Sequence, residues 1–580
     1  MEKKLKIIIA LGILAVFIIS VSAVDAANLY VSNKGTDSGK GTKVKPFKTI
    51  KKAVANAKNG DTIYLNSGTY TGASNRKIII NKNIKITALS KNIKKSNTKI
   101  NAGGKSRIFD VLKKKKVSFT GITFINGKST LGGGAILSNG DLTINKCKFD
   151  SNKVTKSGGA VHGYKGSVTI KNSVFTSNYA KDHGGAVYTQ SAKTSISNSQ
   201  FKSNSAKYGG GFYQFTNKFT LNKNKFTSNK VTKFGGGVCV STSSGTISNS
   251  LFSSNSASEE GGGVRTFKST VTISNSQFIK NSGASGGGIL YNRGFATITN
   301  SNFTSNSAKK CGGGIYSYNC TTTISKANFN KNSASYSEGH AIINYGSIAK
   351  LSIKNCNFID NKCIVKYEAN IRNLAESIKK NVSTSLPTAQ YVTSLANAVL
   401  SWVSVNIKYP SYTDKIEKGI KVGYDFSSFL KQKGWANEDY IRDPSFVVNT
   451  KWGVCEGCAK LNVALSSYLN IPIIYVSGLG GNPKSMQTHA WNVVYIDYDK
   501  NGVYKLVPGD STGSPGVPGS PTEFKMNAVQ WWTKNSVFID NAASMTFGAV
   551  SNDRGSTTIN GNSYIKNTYG YGIVFSKSYA

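Results

Sequence analysis

The chain predicts an all-β parallel β-helix solenoid followed by a smaller α+β domain, on three observations. Phe-x-x-Asn recurs at Phe149, Phe175, Phe201, Phe226, Phe252, Phe278, Phe303, Phe329 and Phe358, every 25 or 26 residues until a last step of 29. Gly clusters keep the same beat at Gly132, Gly158, Gly184, Gly209, Gly235, Gly261, Gly286 and Gly312, with alternating segments such as Val168-Thr-Ile170 and Val271-Thr-Ile273 between them. Such alternation is the period of a strand. Near residue 365 the composition turns from Gly/Ser/Asn/Thr-rich repeats to ordinary globular sequence, and 580 residues are too many for one ordinary domain.

In chain order, residues 1–27 come first. A basic start (Lys3, Lys4, Lys6), an apolar run from Ile7 to Ile19 and small residues at Ala23, Ala26 and Ala27 read as a secretory signal, so the mature chain is expected outside the cell. The run is shorter than the roughly 20 residues of a membrane span, although an uncleaved anchor reaching Val24 is the alternative. No later segment predicts a span. The next expected unit is a capped β-helix over residues 28–365. A stack without a cap leaves apolar core and strand edges exposed.

A unit of about 26 residues cannot bury its own core, so the coils must stack, each Phe over the next and the Asn side chains in a ladder. At about 4.8 Å per coil, nine coils give a rod roughly 40 Å long. Leucine-rich and WD-type repeats are excluded because their signatures are absent. The repeats are poor in acids. Asp141, Asp150, Asp182, Glu259, Glu260, Glu338 and Asp360 are dispersed, and the adjacent Glu259 and Glu260 read as solvated. Polysaccharide cleavage needs clustered carboxylates, so this half is expected to bind or to space rather than to catalyse.

Net charge is +46, from 73 Lys+Arg against 27 Asp+Glu, with lysines scattered along the whole length. That favours a polyanionic neighbourhood such as an acidic polysaccharide or wall polymer, and no nucleic-acid motif is present. A solvated lysine surface that prevents aggregation is the simpler reading. The eight cysteines are irregularly spaced; Cys311 with Cys320, and Cys356 with Cys363, are each either a bridge or packed thiols. No cofactor or metal pattern is recognised.

Past a helical linker at 366–390, a domain over 391–545 carries the chemistry. Tyr391 to Ile407 has helical spacing (Val392, Leu395, Val399, Trp402, Val403), and a second helix opens at Cys455 with the stripe Leu461, Leu465, Tyr468 and Leu469. Ile473–Val476, His489–Ile496 and Val503–Val507 read as strands. Cys455, His489 and Asp510 occur in the order nucleophile, base, orienting acid, which is what attack on an amide carbonyl requires. A thiol in the first turn of a helix lies beside unpaired amides and the positive dipole end, which favour thiolate. If the hairpin turns between Asp499 and Lys500, antiparallel partners sum to 999 and His489 faces Asp510. Cys455-x-x-Cys458 as a redox pair or half a zinc site is the lesser reading, since no second pair follows. Trp402, Trp435, Trp452 and Trp491 read as core or cleft walls, with Trp452 a candidate wall of an acyl pocket. The tail, 546–580, is an extra coil, a flexible tail or a disordered end.

Two resemblances add to this reading. Leu29-Tyr-Val-Ser-Asn-Lys-Gly-Thr-Asp37, Pro46-Phe-Lys-Thr-Ile50 and Gly60-Asp-Thr-Ile-Tyr-Leu-Asn-Ser-Gly-Thr-Tyr70 resemble the capping start of pectate-lyase-like, right-handed parallel β-helix proteins, which implies Phe47 to Lys58 as the amphipathic helix that closes the open end. As a whole the half resembles adhesin-like surface proteins of methanogenic archaea. Gly453-Val-Cys455 with Ala459, Ile471-Pro472, Val476-Ser-Gly478, His489-Ala-Trp491 and Asp510 followed by Thr512 resemble the transglutaminase-like superfamily of papain-type cysteine enzymes. The second resemblance covers roughly residues 390–515, departing from the pattern in a thiol at Cys458, where an aromatic is common, and in a longer approach to Asp510. It implies Cys455 as nucleophile, His489 as general base and then acid, and Asp510 as its orienter. By analogy with archaeal pseudomurein endoisopeptidases, a cell-wall peptide or isopeptide, or a surface protein, is the expected substrate. The alternative is a non-enzymatic adhesin with a degenerate module that grips acidic polymers.

Overall fold

The structure is a computed structural model. It describes residues 26–90, 97–334, 340–345, 350–359, 361–363, 369–385 and 388–408, and beyond them separate pieces, chiefly 414–417, 420–424, 431–433, 444–452, 473–480, 487–497, 504–509, 550–553, 556–560, 563–565 and 574–576. Residues 62–359 form a parallel β-solenoid of about eleven turns, as the repeat predicts. Each coil feeds three parallel sheets, in which successive strands pair with the coil before and the coil after.

The repeat motif explains the stacking. Phe149 pairs in register with Phe175, and Phe175 with Phe201, so identical rings face inward at one level per coil. From Phe124 to Phe358 the rings stack with centroids 4.6–5.0 Å apart and planes within 10°. The stack thus begins one coil before the first Phe-x-x-Asn, because Phe124 is followed by Gly127 where the later coils have Asn.

The asparagines form the expected ladder, and each is fully used. Asn255 Oδ1 accepts from the Asn229 backbone N–H at 3.0 Å and from Asn229 Nδ2 at 2.8 Å. Asn255 Nδ2 donates to Phe226 O and to Asn281 Oδ1, both at 2.9 Å. An amide side chain has two donor hydrogens and one two-lone-pair oxygen, so this pattern leaves nothing unpaired in a position with no exposure. A second ladder was not foreseen. Ser173, Ser199, Asn224, Ser250, Ser276 and Ser301 each accept the N–H of the coil before at 3.0–3.2 Å. Cys147 begins this ladder, and the Cys356 sulfur takes the Ala327 N–H near its end. Small polar or polarisable side chains suffice at such a site.

The cysteine alternatives resolve accordingly. Cys147, Cys239 and Cys320 are free thiols, and Cys320 Sγ donates to Gly294 O at 3.0 Å, so it is not bridged to Cys311. The side chain of Cys363 lies outside the described residues.

At the N-terminal end, helix α1 (Ile50–Asn56) covers the stack with Ile50, Ala53 and Val54 inward. Thr49 is its N-cap, accepting from the Lys52 N–H, and Asp37 fixes the cap by accepting from the N–H groups of Lys48 and Thr49 at 2.9 Å. The signal-like segment 1–25 lies outside the described residues. Among the described residues no helix is long and apolar enough to cross a membrane.

Helices α2 (Ala369–Lys380), α3 (Thr388–Asn406) and α4 (Pro444–Thr450) follow. Ile371, Ala375 and Ile378 of α2 share one core with Leu395, Val399 and Val403 of α3 and with Val447 of α4. Helix α2, which falls in the expected linker at 366–390, is therefore part of the second domain's core. The tail also has a definite place. Val550–Asp553, Ser556–Asn560 and Ser563–Ile565 pair in parallel with Ile342–Tyr345, Lys350–Lys354 and Asn357–Ile359. They form the extra coil, with Tyr564 opposite Phe358 at the level of the ring stack. The second domain is thus interposed between two consecutive coils.

Candidate functional site

Helical residues follow the expected nucleophile, including 457–458, 461–462, 465 and 469. Leu461, Leu465 and Leu469 are buried in the core shared by α2, α3 and α4, as the stripe predicts, and Cys458 is buried with them. A thiol sunk in apolar packing is poorly placed as a redox partner or zinc ligand. Cys455 itself, Tyr468 and Asp510 lie outside the described residues.

His489 lies on the strand Gln487–Asp497, which pairs antiparallel with Ile473–Gly480; its Cα partner is Gly478. On the other side the same strand pairs with Tyr504–Gly509, matching Asn492 to Gly509 and Val494 to Val507. These partners sum to 1001 where the symmetric hairpin predicts 999, so the described ladder does not set His489 directly opposite position 510. The difference is two residues. An even shift keeps every side chain on its original face, whereas a single-residue slip would have reversed them. The ladder's described end is at Asn492 and Gly509, before both His489 and Asp510.

Backbone contacts tie down the segment that ends at Trp452. Lys408 N–H donates to Lys451 O at 2.8 Å, Lys451 N–H donates to Val447 O at 2.9 Å, and a bridge joins Lys408 to Trp452. Lys433 Nζ lies 4.6 Å and Lys408 Nζ 6.0 Å from the centre of the Trp452 ring, while Lys451 Nζ lies 4.5 Å from that of Trp402. Burial pulls the Lys451 ammonium below its ordinary pKa.

Four of the solenoid thiols are poor candidates for nucleophile. Burial pushes Cys147 and Cys239 up to about 12, and Cys320 and Cys356 to about 11. All four stay protonated at neutral pH.

A side-chain cluster on the solenoid escaped the sequence reading. His162, Tyr188, Tyr213, Cys239 and Arg265 share one register position in successive coils, four residues after a glycine of each cluster. Beside them, His183 pairs with Tyr208 and Phe234 with Glu260. His183 stacks on Tyr208 at 5.1 Å and meets Tyr213 edge-on at 4.9 Å. The Arg265 guanidinium lies 4.7 Å from the Phe234 ring centre and donates from Nε to Glu260 Oε2 at 3.2 Å. Glu260 is therefore paired, and Glu259 pairs with Lys233 at 2.7 Å, where sequence suggested two solvated acids. Burial, with smaller contributions from the Arg107 and His183 charges, pushes His162 down to about 4. A fixed offset from each Gly cluster was the signal that would have revealed this stripe. Among the described residues no group of three or more His, Cys, Asp or Glu could hold a metal.

Comparison with known proteins agrees with the two-part architecture. Residues 133–303 and 212–358 match the family described as "Right handed beta helix region", and residues 372–504 match the transglutaminase-like superfamily. The chain therefore carries a right-handed β-helix and, after it, a transglutaminase-like domain. A segment of 63 residues is 48% identical to pectate lyase PEL9 of Emericella nidulans, covering 11% of this chain and 15% of that protein. The chain thus spans about 15% of that relative's length. Among solved structures it is similar to pectate lyase Pel9A, at 18% identity and a TM-score of 0.31 over 53% of this chain and 78% of that one. It is also similar to a rhamnogalacturonan lyase, at 14% identity and a TM-score of 0.26 over 59% and 83%.

Proposed function

We propose that this protein is an exported cell-surface cysteine enzyme that acts on peptide or isopeptide amide bonds, with the β-helix as its binding or spacer module. The observation that carries the reading is the transglutaminase-like match over 372–504, which contains both Cys455 and His489 in nucleophile-then-base order. The Cys455 sulfur attacks the amide carbonyl, and His489 takes the thiol proton and passes it to the departing amine, so that a C–S bond replaces the C–N bond. Asp510 holds the imidazole in the tautomer that accepts that proton. The thioester then yields its acyl group to water, giving a carboxylic acid, or to a second amine, giving a new amide. Burial raises the thiols of Cys147, Cys239, Cys320 and Cys356 above their ordinary pKa, which makes those four poor nucleophiles.

Cross-links of a cell wall, pseudomurein among them, are the proposed substrate. The test incubates wild type and Cys455→Ala with purified wall polymer and reads released peptides and amines by mass. Release by wild type alone is expected; equal behaviour of the two proteins, with no labelling of Cys455 by a thiol-directed acyl probe, refutes the reading. A second reading, a non-enzymatic adhesin for acidic surface polymers, is favoured by the Arg265, Phe234, Tyr208 and Tyr213 stripe and the net charge of +46. Pull-down of acidic wall fractions by full-length Cys455→Ala and by Arg265→Ala separates it from the first.

A further inference from the structure

The chain holds three Asn-x-Ser/Thr triplets, Asn302-Phe-Thr304, Asn319-Cys-Thr321 and Asn381-Val-Ser383. In an exported protein such a triplet, at the surface, marks an asparagine that accepts an N-linked glycan. The buried ladder never forms one. From Asn152 to Asn361 every ladder asparagine is followed two residues on by Val, Ala, Gly or Cys. That position faces inward, where Val154, Ala180, Ala206, Val231 and Ala257 make a buried cluster, and an unpaired hydroxyl is disfavoured there. A ladder amide nitrogen is also fully committed, as at Asn255, whose Nδ2 donates twice in a site with no exposure. The triplets thus fall on asparagines outside the ladder.

Asn302 opens the short strand Asn302–Thr304, in which Phe303 is buried in the ring stack while Asn302 is exposed and Thr304 partly exposed on the outward face. Asn302 Oδ1 accepts from Asn328 Nδ2 at 2.9 Å, and among the described residues nothing accepts from Asn302 Nδ2. That nitrogen is the end of a surface row in which Asn357 donates to Asn328 and Asn328 to Asn302. One of its two hydrogens can be replaced by a sugar without breaking a bond of the row. Asn381 directly follows helix α2, in a turn where its N–H donates to Ile378 O at 3.2 Å, and both Asn381 and Ser383 are exposed. Asn319 differs: it is only partly exposed and its side-chain oxygen is buried.

We propose that Asn302 and Asn381 carry N-linked glycans and that Asn319 does not. This rests on the export part of the proposed function. The donor is a lipid-phosphate-linked oligosaccharide of the exporting membrane. A bond forms between Nδ2 and the anomeric carbon, the bond from that carbon to the phosphate oxygen breaks, and the released lipid phosphate takes up the amide proton. Nδ2 keeps one hydrogen and Oδ1 its lone pairs, so Asn302 still accepts from Asn328. Asn302 belongs to a different sheet from His162, Tyr188 and Tyr213, so its glycan is rooted away from that aromatic face.

The experiment takes full-length protein from the surface of cells that make it, with variants expressed in the same cells. Trypsin cuts after Arg293, Lys309, Lys310 and Lys326, so the three asparagines fall in separate peptides, each read by mass with fragmentation that releases sugars. The peptides holding Asn302 and Asn381 are expected to carry sugar mass, and the one holding Asn319 none. Thr304→Ala should strip the glycan from Asn302 while Thr304→Ser keeps it, a contrast that a purely structural role for Thr304 would not produce. A bare Asn302 or Asn381 in protein recovered from the surface, or a glycan on Asn319, overturns the proposal. Protein found only inside the cell, with residues 1–27 still attached, sinks the export reading and the glycans with it.

Discussion

Replacing Asn255 by Ala probes the ladder that sets the repeat. The substitution removes both Nδ2 donations, to Phe226 O and Asn281 Oδ1, and takes the acceptor from the Asn229 N–H and from Asn229 Nδ2. Two buried donors are orphaned, each at about 1–3 kcal/mol, so a loss of about 4 kcal/mol is expected. A solenoid unfolds by neighbouring units rather than in one step, so a single denaturation midpoint is a poor measure. Native-state hydrogen exchange resolves the effect by coil. Amides between roughly residues 226 and 281 should lose most protection, with the outer coils less affected. Asn328→Ala is the control, since Asn328 is exposed and its side chain bonds, among the described residues, to those of Asn302 and Asn357 at 2.9 and 2.7 Å. It should cost less than about 0.5 kcal/mol. If Asn255→Ala costs no more than Asn328→Ala, the ladder is a consequence of stacking and contributes little to it.

Other expectations follow from particular contacts. Phe252→Ala empties a fully buried place between Phe226 and Phe278, whose rings lie 5.0 and 4.8 Å away, and should cost about 3–5 kcal/mol by the same exchange measurement. Gly294→Ala should be strongly destabilising, because its φ is +109° and an added Cβ collides with Ser269 O; a neutral effect on thermal unfolding would contradict the register there. His162 has a folded pKa of about 4 against 6.5 unfolded, so its neutral form stabilises fully above about pH 6.5 and that contribution is lost as pH falls toward 4. Native-state hydrogen exchange of the coils around His162, compared at pH 7.5 and 5, should show a drop in local stability that is smaller in His162→Gln, by about 1–2 kcal/mol. Deleting residues 546–580 should raise exchange in Ile342–Ile359, which loses its pairing coil; unchanged protection would mean the last coil is not seated as described.

Much of the solenoid was legible because its information is local and repeated. Phe-x-x-Asn names a buried ring and, three residues on, an amide that must find partners, and each coil solves the same problem as its neighbour. The second ladder was less legible because Ser, Asn and Cys all serve it, so no single letter marks the position. For the candidate site, helix, stripe and strands were readable from periodicity: Leu461, Leu465 and Leu469 are buried as expected. The hairpin register was not, since loop symmetry is a weak guide and the observed ladder is two residues away from it. Helix α2 read as a linker because its apolar face, Ile371, Ala375 and Ile378, declares a purpose only beside Leu395 and Val399.

By itself the amino-acid sequence determined the coil length, the inward rings and amides, the capping helix and the order Cys455, His489, Asp510, because each depends on spacing along a short stretch of chain. Only the tertiary structure decided that the strands Val550–Asp553, Ser556–Asn560 and Ser563–Ile565 return to pair with Ile342–Tyr345, Lys350–Lys354 and Asn357–Ile359. It also decided that Lys408 and Lys433 meet at Trp452. These contacts join residues distant in sequence, and their register is set by hydrogen bonding between strands and by shared burial, which no local pattern encodes.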